Sequence, residues 1–375
     1  MLETQMKRIV DAMEAARREQ NVNVFNWKET LKDRTVVAFG LGKFFRDVHE
    51  RLFQACRVDY LCDNNEKLWG GVYHGRTCLP PGKLKEFPSV FVIIVAGNPN
   101  PIRDQLDQMG IESMHITEMH FEYYLKGTDL SWMEEALPSI EDVMKRLKDE
   151  QSRQVYTEVI CRKLGACYAT IPYSSLYSGG EYFRQGIWSL DDRETFLDVG
   201  AYRGDTLKEF LEETGNQFQK AYAMELSPKN AGYLQSYVDS LERDVAERIQ
   251  VICAGAWDCE QKAWCDAYGD MDGCAVMDDE RGEACRLTMI DQIIPQDEKI
   301  TTLKMDIEGA ELRALEGARR VIAESRPKLA ICLYHRPEDF WEIPLKLLEI
   351  CPDYQLYIRH HSMCNYTDSV LYAFV

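Results

Sequence analysis

No Cys-x-x-Cys pair occurs in this chain, although it carries thirteen cysteines among 375 residues. Zinc sites favour tight cysteine pairs and often histidine. Cys253, Cys259, Cys265, Cys274 and Cys285 lie close together with no histidine among them. Free thiols of a reducing cytoplasm are therefore expected, not a metal site. Long apolar runs are missing too. The longest, Val90-Phe-Val-Ile-Ile-Val-Ala96, is too short to cross a bilayer and reads as a buried parallel strand. The opening residues Met1–Arg8 lack the apolar core of a signal peptide. A cytoplasmic protein without a membrane partner is expected. Met6, Ile9, Val10 and Met13 follow helical spacing instead, which predicts a docking helix. Positive charge is scarce: 44 Lys and Arg against 62 Asp and Glu leave a net charge of −18. Such a surface repels phosphates and excludes non-specific binding of nucleic acid.

The chain is long for one ordinary domain, and two are expected. Its most informative stretch is Thr195-Phe-Leu-Asp-Val-Gly-Ala-Tyr-Arg-Gly-Asp-Thr206. An apolar strand runs through Asp198 into a turn bearing Gly200 and Gly204, and a helix follows. Strand, glycine turn and helix N-terminus make a nucleotide-type ligand site at the carboxyl edge of a parallel sheet. The spacing is G-x-x-x-G, not the G-x-G-x-x-G that presses a pyrophosphate onto a helix end. It suits a ligand without pyrophosphate, such as S-adenosylmethionine. The next strand, Ala221–Glu225, ends in an acid 21 residues after Gly204, where ribose hydroxyls are held. A further strand, within Thr302–Ile307, delivers Asp306 and Glu308 to the same edge.

The segment from about Tyr182 to Val375 resembles the FkbM family of methyltransferases. The resemblance is carried by FLDVGAYRGDT (196–206), AMELSP (223–228), LKMDIEGAELRALEGA (303–318), LYHRPEDFWEIP (333–344) and RHHSMCNYTDSVLYAF (359–374). It implies a class I Rossmann-like methyltransferase sheet, S-adenosyl-L-methionine as donor, and a hydroxyl acceptor on a sugar or a glycosylated small molecule. Arg203 departs from the acid or small residue usual inside the loop.

Earlier in the chain, Arg34–Phe45 repeats the strand–glycine–helix pattern around Gly40-Leu41-Gly42, and Asp63 follows 21 residues after Gly42. This region resembles the Rossmann-like domain fused to sugar-modifying enzymes, which implies a nucleotide-sugar as ligand. Phe45 stands where a third glycine would permit close helix–strand packing, which disfavours a full dinucleotide. A degenerate domain for packing, dimerisation or docking is the equal alternative. The expected architecture is α/β throughout: residues 1–126 an N-terminal helix and Rossmann-like domain, 127–190 a helical connector, and 191–375 the methyltransferase-like domain. Within the connector, Glu141–Leu164 is expected to form one long or two short helices. The loop Tyr177–Phe183 is expected near the cofactor, and a hairpin is expected between Asp258 and Glu283.

Placement at the sheet edge assigns the cofactor residues. Gly200, Ala201, Tyr202, Gly204 and Thr206 should meet the methionine end, with Asp198 near its ammonium. Glu225 and Leu226 should hold the ribose, and Ala256 and Trp257 should border the adenine, where Trp257 alternatively only packs. Asp306 is expected beside the methyl group. Glu308 is either an acceptor-side carboxylate or an acid at a helix N-terminus. His335 ends an apolar strand, and its ordinary pKa makes it the expected general base. One of His360 and His361, in the last hairpin, is expected to reach the site, with no choice between them. No metal ion is expected; the alternative is a divalent cation held by the paired acids and histidine to orient a diol. Two rival functions stay open. One is an NAD- or nucleotide-sugar-dependent enzyme using Gly40-Leu41-Gly42, against which no obvious Tyr-x-x-x-Lys is found. The other is a non-catalytic binding protein.

Overall fold

The computed structural model describes residues 2–18, 31–96, 99–116, 131–164, 171, 173–184, 186–267, 274–277, 283–362 and 367–375. Residues 97–98, 268–273 and 278–282 fall outside this set, and with them part of the expected hairpin. The chain divides into two compact units. One comprises Met1–Glu135, Thr157–Tyr177 and Ser362–Tyr366; the other comprises Ala136–Tyr156, Ser178–His361 and Thr367–Val375.

The first unit opens with helix α1 (Leu2–Arg18), which buries Ile9 and Met13 of the expected apolar stripe. Its sheet contains β1 (Thr35–Phe39), β2 (Tyr60–Cys62), β3 (Val72–Tyr73), β4 (Arg76–Leu79), β5 (Val90–Ile94) and β6 (Ser113–His115) in the order β3-β4-β2-β1-β5-β6. β2 and β5 flank β1 in parallel. Helix α2 (Lys43–Ala55) follows the glycine turn, and Phe45 is buried in the core beside Leu52 and Leu61. The large side chain at the third-glycine position therefore fills space between helix and sheet. Helix α3 (Asn100–Met109) precedes β6.

The connector forms two helices, α4 (Ser131–Arg146) and α5 (Glu150–Leu164). The polar stretch between them breaks the helix because Asp149 accepts from the Ser152 N–H at 2.7 Å and meets Arg359 at 2.6 Å. A short polar side chain that bonds backbone ahead of it caps a new helix better than it continues an old one.

The second unit holds a seven-stranded sheet in the order β16-β17-β15-β14-β7-β8-β9. Its strands are β7 (Thr195–Val199), β8 (Lys220–Glu225), β9 (Ile249–Cys253), β14 (Thr302–Met305), β15 (Lys328–Cys332), β16 (Gln355–His360) and β17 (Ser369–Phe374). The first five are parallel; β17 runs antiparallel to both β15 and β16. All five residues of β7 are buried, as a central strand covered on both faces requires. Helices α6 (Asp205–Glu213) and α7 (Pro228–Asp239) follow β7 and β8. Phe196 stacks on Phe210 of α6 at 4.5 Å between ring centroids. A small second sheet, β10 (Gly255–Ala256), β11 (Gln261–Ala267), β12 (Cys274–Met277) and β13 (Glu283–Thr288), stands where the hairpin was expected. Helices α8 (Glu311–Glu316), α9 (Arg319–Ser325) and α10 (Asp339–Ile350) follow later in the unit.

Candidate active site

Strand order reverses at β7, which pairs with β8 on one side and β14 on the other. Loops leaving the carboxyl ends of such neighbours diverge and leave a crevice. A cavity of about 350 Å³ lies there. Gly200, Tyr202, Asp205, Thr206, Glu225, Leu226, Ala256, Asp306 and Glu308 line it, all but Asp205 expected at the site. Ala201, Gly204, Asp198, Trp257 and His335 are not among its lining residues.

Backbone geometry explains the glycines. Gly200 has φ +83°, and a Cβ there would lie 1.9 Å from the Asp306 carbonyl oxygen. Only a glycine lets β7 turn this close to β14. Gly204 has φ +95° and faces the side chains of Tyr237 and Leu234. Tyr202, between them, also takes a left-handed conformation, φ +47°. Its N–H donates to Glu225 Oε2 at 2.9 Å, and the Ser227 N–H donates to Oε1 at 2.9 Å. The acid at the end of β8 thus ties the glycine loop to the second strand. Burial raises its pKa. A carboxylate with two such bonds keeps lone pairs for ribose hydroxyls.

Asp198 is fully buried beneath the loop and pairs with Lys304 at 3.2 Å. Lys304 Nζ also donates to the Gly200 carbonyl at 2.7 Å. Burial pushes the Asp198 carboxyl up to about 6, against the pull of Lys304. Asp198 therefore braces the turn from below, and the cation that answers it is protein-borne. Lys304 sits between Leu303 and Met305 in a wholly buried strand. A lysine in such a run was the available sequence signal.

Asp306 is the hub of the opposite wall. Tyr182 donates to its Oδ2 at 3.1 Å, Tyr334 to its Oδ1 at 3.1 Å, and His335 Nε2 lies 3.3 Å from Oδ1. Burial would raise its pKa, but Lys304, His335 and the two phenols hold it below the usual carboxylate range. Glu308, at φ +58°, turns its carboxylate to 3.7 Å from the same His335 nitrogen. The first-turn acid of the following helix is Glu311, whose Oε1 accepts from the Ile307 N–H at 3.0 Å and faces His335 Nδ1 at 2.9 Å.

These contacts alter the charge state expected for His335. Burial would lower its pKa, but the hydrogen bond to Glu311 and the charges of Glu311, Asp306 and Glu308 push it up to about 9. Those charges favour the imidazolium, which already carries the proton a general base would take. Glu181, not singled out from sequence, lines the cavity. Burial, with Asp368 and Asp306 nearby, pushes its carboxyl up to about 8. It adjoins Tyr182, which is held at φ +55° by its N–H donating to the Tyr372 hydroxyl at 3.1 Å. That hydroxyl meets His361 Nε2 at 2.7 Å, and His361 Nδ1 meets the Gly179 carbonyl at 2.7 Å. His361 therefore fixes the loop behind Glu181, while His360 is fully buried against Ser369. Neither histidine lines the cavity.

The far wall is apolar, formed by Leu226, Ala254, Gly255, Ala256, Val276 and Leu287. Trp257 instead packs beside Leu226 and Val276, with Arg313 5.7 Å from its ring centroid.

Residues 198–366 match a family model described as Methyltransferase FkbM domain. The methyltransferase FkbM of Methylobacillus flagellatus KT has a similar crystal structure, with TM-score 0.72 and 26% identity over 98% of this chain and 99% of that one. Fibrillarin of Aeropyrum pernix, solved with natively bound S-adenosyl-L-methionine, aligns over 51% of this chain and 70% of its own, at 14% identity and TM-score 0.33. A search of curated proteins finds no match.

Proposed function

We propose that this chain, whose residues 198–366 match the methyltransferase FkbM domain, moves a methyl group from S-adenosylmethionine to a hydroxyl oxygen of a sugar or glycosylated small molecule. The observation that carries this proposal is the charge of the cavity wall. Among the described lining residues, six side chains are carboxylates (Glu181, Asp205, Glu225, Asp306, Glu308 and Asp368) and one is a cation, Lys304, which is engaged by Asp198. Such a wall attracts a donor bearing a sulfonium and an ammonium, and repels phosphate. It also supplies acceptors for a hydroxyl-rich molecule.

The donor supplies an already activated methyl group, displaced in line by the acceptor oxygen from roughly 3 Å. The protein's part is placement and proton removal. Gly200 and Tyr202 bring bare backbone to the methionine end, Glu225 takes the ribose hydroxyls, and Leu226, Ala256, Val276 and Leu287 enclose the adenine. Asp306, fixed by Tyr182 and Tyr334, orients the acceptor hydroxyl. Glu181 takes its proton: a base is most effective with a pKa near the working pH, which His335, protonated to about pH 9, is not.

Activity should rise with pH as Glu181 ionises and level off above about 8. Glu181→Gln should lower kcat by roughly 100-fold and flatten that rise. An unaltered profile in Glu181→Gln would return the base role to another residue. The acceptor class is tested by incubating the enzyme with methyl-labelled donor and a panel of sugars and glycosylated molecules. A base-stable methyl ether is expected. Label on nitrogen or carboxyl groups would overturn the hydroxyl assignment.

A nucleotide-sugar in the first unit is a second reading, favoured by one observation. The Leu41 N–H donates to Asp63 Oδ2 at 2.7 Å across a turn whose Gly40 has φ +107°. The contact repeats the Tyr202–Glu225 bond of the second unit.

A further inference from the structure

Near the cavity, His335 and Glu311 each hold a buried polar atom without a hydrogen bond. His335 Nε2 and Glu311 Oε2 are buried and make no hydrogen bond. Glu311 is wholly buried, and the His335 side chain is 8% exposed. Glu311 Oε2 is a buried acceptor left unused, and His335 Nε2 becomes a ligand when a bound cation displaces its proton; both changes would relieve the cost of buried, unsatisfied polar atoms.

Their surroundings fit a cation. Asp306, Glu311 and His335 offer ligand atoms within 4.8 Å of one another. His335 Nε2 stands 3.3 Å from Asp306 Oδ1 and 3.7 Å from Glu308 Oε2. Ligands about 2.0–2.2 Å from one ion lie roughly 3.0–3.5 Å from each other, so only small shifts are needed. The other ring nitrogen, Nδ1, faces Glu311 Oε1 at 2.9 Å. A carboxylate on one imidazole nitrogen fixes the tautomer and presents the other to a metal. Three carboxylates around one imidazole are also more negative charge than the histidine alone balances, and Lys304 is held by Asp198. Asp306 and Glu308 line the cavity, so an ion between them would keep open positions toward the acceptor.

We propose that Asp306, Glu308 and His335 Nε2 bind a divalent cation, that Glu311 orients the imidazole, and that the ion's open positions take vicinal hydroxyls of the acceptor. The last clause rests on the proposed hydroxyl methylation; the cation site does not. Mixed carboxylate and imidazole donors suit Mn²⁺ better than Mg²⁺. The site so proposed takes up the alternative, weighed from sequence, of a divalent cation held by the paired acids and histidine.

The test is titration of the chelator-stripped full chain with Mn²⁺, followed by the loss of the free-ion electron paramagnetic resonance signal. One ion per chain is expected. Glu311→Gln, which keeps the side-chain shape, should weaken binding on the order of 10–100-fold. Glu308→Gln should also weaken it, with circular dichroism confirming the fold. No binding of Mn²⁺, or equal binding by both variants, would overturn the site and leave an imidazolium as the counter-ion. Methyl ether formation unaffected by chelator would sink the metal's catalytic part while sparing the hydroxyl assignment. Tight Mn²⁺ binding with no hydroxyl methylated would support the site and sink that assignment.

Discussion

Gly200→Ala should lose S-adenosylmethionine binding by at least on the order of 100-fold. The added Cβ would stand 1.9 Å from the Asp306 carbonyl oxygen and 2.9 Å from its carbonyl carbon. Backbone cannot step aside as the end of a side chain can. Either the glycine turn or the Asp306 segment must move, and both form the cavity wall. A displacement of about 1 Å at a positioning element costs about 100-fold. Two companions separate this effect from a general penalty. Gly204→Ala meets only the Tyr237 and Leu234 side chains, so it should be milder despite its positive φ. Gly232→Ala, in helix α7 with nothing within 4 Å, should bind normally. Titration calorimetry with circular dichroism checks all three. Normal binding by Gly200→Ala would show that the turn is not the cofactor's seat.

Lys304→Met should be the most destabilising single change in the second unit. It leaves Asp198 fully buried without its cation and the Gly200 carbonyl without its donor. Breaking one side of a buried pair costs about 3–5 kcal/mol, which lowers the melting midpoint by on the order of 10 °C in a unit of this size. Part of the loss should be regained by adding Asp198→Asn, since the uncompensated charge is then removed. Thermal unfolding followed by circular dichroism distinguishes the cases. A single variant melting with the parent would mean that the ion pair contributes nothing. A double variant no better than the single would place the cost in the Gly200 contact.

The parts of the site legible in sequence are those that backbone geometry writes into residue type. Gly200 and Gly204 are glycines because positive φ and close approach demand it. Glu225 could be placed because strand, turn and helix fix how far along the chain the next strand tip falls. Asp306 was placed by its position at the tip of β14, whereas Glu308 reaches the cavity from a left-handed turn beyond the strand rather than by alternation. The unread parts come from long-range convergence. Tyr182 reaches Asp306 across 124 residues, and Glu181 takes its raised pKa from burial and from Asp368 and Asp306. The raised pKa of His335 could not be read from its own type, because Glu311, Asp306 and Glu308, brought from other positions, set it. Trp257, weighed as either an adenine neighbour or a packing residue, lies partly buried against the small sheet's core and is not among the cavity's lining residues.

The most direct test of the central claim is calorimetric titration of the purified chain with S-adenosylmethionine and S-adenosylhomocysteine, with NAD and a UDP-sugar alongside. Micromolar binding of the first two is expected, strongly weakened in Glu225→Ala, whose carboxylate holds both the Tyr202 and Ser227 N–H groups. Binding of NAD or the UDP-sugar alone, unchanged in Glu225→Ala, would contradict it and move the ligand site to Gly40-Leu41-Gly42.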